Sequence, residues 1–117
     1  KKVEVWGTGD PLREFLYVDD LAEAAIILMN SSTKEININH FNVGSGEEIS
    51  IKNLSKLIAE ITNFKGEIFF NSKKPSGVHR KLLDSSLIRK LGWSPTTSLN
   101  IGINKTYEWL IQQLQNV

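Results

Sequence analysis

Apolar positions along the chain change period several times, and each change marks an element. Alternation in KKVEVW predicts a strand over residues 2–6, closed by the glycine-, aspartate- and proline-rich turn of 7–11. A second strand is expected over 13–18, with Arg13, Phe15 and Tyr17 on one face. From about 20 to 30 the spacing lengthens. Leu21, Ala24, Ala25, Leu28 and Met29 recur at helical intervals, Ala22 and Ile26 widen the stripe, and Asp19 is the expected N-cap of a helix that should be largely buried. The polar connection SSTKEINI leads to a strand expected at about 40–43, followed by Gly44, Ser45 and Gly46. Ser50 should cap a helix carrying Ile51, Leu54, Leu57, Ile58 and Ile61. GEIFFNS at 66–72 reads as a strand, and Asp84 should cap a short helix ending near Leu91 and Gly92. Ser98 opens a last helix, whose inner face is Ile103, Tyr107, Leu110, Ile111 and Leu114. Trp93 and Trp109 are expected in the core.

This alternation defines an α/β fold with short strands and about four helices, in one compact unit over residues 1–117. A chain of 117 residues is enough for one small core that buries about two-thirds of the unfolded surface. A small sheet under four helices would also present a face to another lobe. The first residues, KKVEVW, enter strand pattern at once, so the chain reads as a piece of something longer.

Composition narrows the chemistry. A formal charge of +1 gives no bulk field for binding nucleic acid. Cysteine is absent, and His40 and His79 stand in unrelated settings, which disfavours a metal site. No apolar run approaches the roughly 20 residues of a membrane span, so a soluble, cytoplasmic protein is expected, with no membrane partner.

The candidate chemistry is cationic. Arg13 offers a permanently charged fork of donors suited to phosphate oxygens, and the alternative is a surface arginine paired with Glu14 or Asp10. Lys73, Lys74, His79, Arg80 and Lys81 fall within nine positions around Pro75 and Gly77. That cluster is either a solvated charge run or an anion site held near the fold by the leucines and tryptophan of LLDSSLIRKLGW. Trp6 is open between a ring under a sugar and a core residue. GSG at 44–46 reads as a plain turn, because a phosphate loop needs further glycines and EEIS places carboxylates where phosphate charge would lie. Asp19 and Asp20 read as capping residues. Tyr17 and Tyr107 are followed four residues later by Leu21 and Ile111 and not by lysine, so no catalytic residue is assigned.

WGTGDPLREFLYVDD at 6–20 and KPSGVHRKLLDSSLIRKLGW at 74–93 together resemble the carboxyl-terminal lobe of the GDP-L-fucose synthase family, within the extended short-chain dehydrogenases/reductases. DDLAEAA, FNVGSG and the closing TYEWL extend the likeness over nearly the whole chain. The resemblance implies a substrate-binding lobe with the Rossmann lobe missing. It also implies a parent enzyme that converts GDP-4-keto-6-deoxymannose to GDP-L-fucose by epimerisation and NADPH-dependent reduction, as a homodimer. NADP and the catalytic residues would belong to the amino-terminal lobe, leaving none in this chain. Arg13 and Lys81 match the family positions that contact the nucleotide diphosphate, with Arg80 and Trp6 beside them. Val78 and His79 depart from the family's KPDGTPRKLLD loop, which puts in doubt only contacts made by the loop's tip.

Overall fold

The computed structural model describes residues 1–31 and 40–115. Their order is β1 (Lys2–Trp6), β2 (Leu12–Glu14), α1 (Val18–Asn30), β3 (Glu48–Ser50), α2 (Ile51–Ile61), β4 (Glu67–Asn71), β5 (Arg80–Lys81), α3 (Ser86–Lys90) and α4 (Leu99–Gln115). The mixed α/β class with short strands and four helices is therefore as expected.

Two small sheets carry the fold. β1 runs parallel to β4, in register from Lys2 opposite Glu67 to Trp6 opposite Asn71. The second sheet has the order β3-β2-β5, with β2 antiparallel to β3 and parallel to β5. Ser50 ends β3 and caps α2, its Oγ accepting the Asn53 N–H at 3.1 Å. The Ile51 and Lys52 N–H groups donate to the carbonyls of Pro11 and Gly9, which seats the first turn of α2 on the turn between β1 and β2.

The core lies elsewhere. Ala24 of α1, Ile88 of α3 and Trp93 are buried, with Leu16, Ile27, Leu28, Phe41 and Val43 packed around them. The Trp93 indole N–H donates to the Asp20 carbonyl at 3.0 Å. The Asp20 carboxylate is buried too, and it accepts from the N–H and Oγ1 of both Thr96 and Thr97 at 2.9–3.4 Å. Burial opposes its ionisation, but these hydrogen bonds outweigh burial and hold the carboxyl below the usual aspartate range. Asp20 is thus a tie between α1 and the segment leading into α4, not a cap. Asp19 does not cap α1 either: Tyr17 occupies the N-cap position and makes no side-chain bond.

Other expectations change. The second strand stops at Glu14, because beyond it residues 15–17 turn into α1. The strand expected at 40–43 joins no ladder, although Phe41 and Val43 contribute to the core; most of the preceding connection lies outside the described residues. β3 and β5 are too short for a periodic signal. Asp84 accepts the Ser86 N–H at 2.9 Å from just before the N-cap, Ser85. That bond lowers the Asp84 carboxyl below its usual value.

Helix α1 is not largely buried. Only Asp20 and Ala24 are enclosed, while Val18, Leu21, Ile26 and Met29 are exposed, Met29 to 84%. Trp109 is not core but 60% exposed, with Leu110, Ile111 and Leu114 exposed beside it on α4. Between residues 15–18, α2 and α4 runs an open groove of about 570 Å³, lined by Phe15, Tyr17, Leu54, Ile58, Ile103 and Leu110 among others. The radius of gyration, 17.4 Å, exceeds the value of about 13 Å for a compact domain of this length. These are faces without a covering layer, and apolar surface on this scale marks an interaction site.

Candidate anion-binding site

The turn after β1 and the loop before β5 pack on each other. Gly7 has φ +85°, and a Cβ there would fall 2.5 Å from Ser76 Oγ, so only glycine suits the position. Thr8 N–H donates to Ser76 Oγ at 3.1 Å. Leu12 N–H donates to the His79 carbonyl at 2.8 Å, which docks the end of the loop on β2. Gly77, φ +74°, lies so close to Arg13 that a Cβ would stand 3.3 Å from Nη2.

The β2–β5 register then places Arg13 opposite Lys81. Neighbouring strands lie about 4.8 Å apart, and side chains of directly opposed residues leave the sheet on the same side. Arg13 Nη1 donates to its neighbour's carbonyl, Leu12 O, at 2.6 Å. Among the described residues, neither Arg13 nor Lys81 has a carboxylate within ion-pair distance, so the alternative of pairing with Glu14 or Asp10 is not what the chain adopts. Two cations side by side without counter-ions favour binding of an anion.

Arg80 does not join them. Strand alternation sends it to the opposite face with Leu12, Glu14 and Glu48. There it makes a bidentate bridge to Glu48, Nε to Oε1 and Nη2 to Oε2, both at 2.7 Å. The hydrogen bonds and charge of Arg80 lower the Glu48 carboxyl below its usual value.

Trp6 is 62% exposed, which removes the core reading, and Lys74 Nζ lies 5.2 Å from its ring centroid. The ring is open to a flat apolar ligand face beside the cationic loop. Phe15 is 41% exposed and Tyr17 half-buried. Desolvation and then the Asp19 charge raise the Tyr17 hydroxyl above its usual value, so the phenol stays protonated.

The expected turn at GSG is present, and it is occupied. Glu14 Oε1 accepts the Gly46 N–H at 2.6 Å, and the Glu14 carboxylate fills the space beside Gly44 where a side chain would stand. A carboxylate in this position excludes a phosphate. No cluster of three or more metal-ligating side chains occurs among the described residues.

The NAD dependent epimerase/dehydratase family matches residues 1–44. GDP-L-fucose synthase 1 of Arabidopsis thaliana is 44% identical over 116 residues, 99% of this chain and 35% of the relative. A solved GDP-mannoheptose C4 reductase from Campylobacter jejuni with NADP bound superposes with a TM-score of 0.79 at 42% identity, over 94% of this chain and 35% of that one. UDP-glucose 4-epimerase of Thermotoga maritima gives 0.84 at 30% identity, over 97% and 36%. The chain spans about a third of the length of the relatives it matches. It therefore corresponds, along nearly all its residues, to the carboxyl-terminal part of proteins named GDP-L-fucose synthase.

The NADP seen in such relatives does not fit the residues described here. The glycine turn at 7–9 opens onto strand β2 and not onto a helix, and the turn at 44–46 already holds the Glu14 carboxylate. This chain matches 35% of the reductase that carries NADP, so most of that protein lies outside the match.

Proposed function

We propose that this chain is the nucleotide-sugar clamp of a GDP-L-fucose synthase-like epimerase/reductase, which converts GDP-4-keto-6-deoxymannose to GDP-L-fucose with NADPH. The observation that carries the reading is the Arg13–Lys81 register pair, which has no counter-ion among the described residues. Arg13 supplies a planar fork to the diphosphate oxygens and Lys81 a mobile point charge. Trp6 offers its ring to the sugar or ribose. Arg80 supports from the far side of the sheet. The chemistry, the cofactor turn and the proton donor come from an amino-terminal Rossmann lobe, which covers the exposed apolar faces. The chain by itself turns nothing over, and the whole enzyme works as a cytoplasmic homodimer.

The test uses the full-length protein. Arg13→Ala and Lys81→Ala should each weaken sugar-nucleotide binding about tenfold or more while NADPH affinity stays nearly unchanged. Equal losses for both ligands would indicate a folding defect, and no loss for the sugar nucleotide would return both residues to ordinary surface charge. The likeness to a UDP-glucose epimerase supports a second reading, the same clamp on a uridine nucleotide. Affinities for GDP and UDP separate the two.

A further inference from the structure

Strand β5 is only two residues long, yet it carries Lys81, and a two-residue strand has little ladder of its own to fix its register. What fixes it lies on the back of the sheet. The Arg80–Glu48 bridge joins β5 to β3 over the top of β2, spanning two strand spacings of about 4.8 Å each. Glu14 makes a second tie across the same strand. Its Oε1 accepts the Gly46 N–H ahead of β3 at 2.6 Å, and its Oε2 accepts the Leu83 N–H just beyond β5 at 3.1 Å. Each carboxylate thus connects the β3 side to the β5 side, and neither shares a face with Arg13 and Lys81.

We propose that Glu48 and Arg80, with Glu14 behind them, are positioning residues: they hold β5 against β2 so that Lys81 stands opposite Arg13, and Arg80 acts on the anion through Lys81 and not by touching it. This rests on the reading of Arg13 and Lys81 as a diphosphate clamp. The division of labour follows from charge. A guanidinium whose Nε and Nη2 are already given to a carboxylate has fewer donors for a phosphate, whereas Lys81 has none committed to a carboxylate among the described residues.

A charge swap in the full-length protein separates positioning from contact. Calorimetric titration with GDP should show Arg80→Glu and Glu48→Arg each weakened about tenfold, and the double swap, which rebuilds the bridge reversed, restored to within about threefold of wild type. A double swap as weak as Arg80→Glu would overturn the proposal, because it would mean that Arg80 touches the phosphates itself. Should the reversed charges prevent folding, the isosteric Glu48→Gln keeps the question open to test. Amide exchange at Leu12, whose N–H donates to the His79 carbonyl at the start of β5, should accelerate about tenfold, while Thr97, bound to Asp20, stays protected. Unchanged exchange at Leu12 would refute the positioning role. This arm needs no ligand, so it stands even if GDP fails to bind wild type, an outcome that would sink the clamp reading alone.

Discussion

Asp20 and the Arg13–Lys81 pair are both charges that the fold sets in place, and they differ in what answers the charge. Asp20 is enclosed and receives hydrogen bonds from Thr96 and Thr97, so its charge is spent inside the fold. Arg13 and Lys81 stand side by side with no carboxylate near them among the described residues. The first arrangement stabilises the fold and has nothing left for a ligand. The second contributes repulsion to the fold, which an arriving anion would relieve. Partners, more than residue type, separate the structural charge from the functional one.

Breaking the interior side should give the largest effects. Trp93→Ala removes a buried ring and its bond to the Asp20 carbonyl, and should destabilise by about 3–5 kcal/mol in urea unfolding. Asp20→Ala should cost about 3 kcal/mol, since the hydroxyls and amides of Thr96 and Thr97 lose a charged acceptor. The Asp20 carboxyl titrates lower folded than unfolded, so its stabilisation is complete above the unfolded value of about 3.9 and is lost as pH falls through the folded value. Unfolding of wild type against Asp20→Asn should therefore diverge above about pH 4 and converge in stronger acid. Glu48 and Asp84 contribute with the same sign, but both remain in the variant and cancel in the comparison.

On the open side the effects on stability should be small. Arg13→Ala and Lys81→Ala should shift it by no more than about 0.5 kcal/mol, by the same urea measurement, because neither breaks an ion pair among the described residues. A loss above about 2 kcal/mol for either would erase the contrast with Asp20. Trp109→Ser sharpens it further: in the isolated chain an exposed ring should be replaceable at almost no cost in stability and with a gain in solubility.

The sequence made the long elements plain and obscured the short ones. α2 and its Ser50 cap were readable because five isoleucines and leucines repeat at helical spacing and serine bonds the Asn53 N–H. β3 and β5 were not, since three and two residues cannot express a period of two. The same apolar periodicity misled about α1 and Trp109: it reports that a face is meant to be covered, not that this chain covers it. Asp20 looked like a cap because its acceptors' partners, Thr96 and Thr97, lie 76 and 77 residues away. Arg13 and Lys81 were legible as cations. Their pairing in register, and the assignment of Arg80 to the other face, required the parallel β2–β5 ladder that no local pattern encodes.

The central claim is that Arg13 and Lys81 hold a diphosphate, and the difference between GDP and GMP measures it most directly. At matched salt, calorimetry on the full-length protein should give GDP an affinity about tenfold or more above that of GMP. Arg13→Ala and Lys81→Ala should each narrow that gap. A gap that stays the same in both variants would place the diphosphate elsewhere and contradict the account.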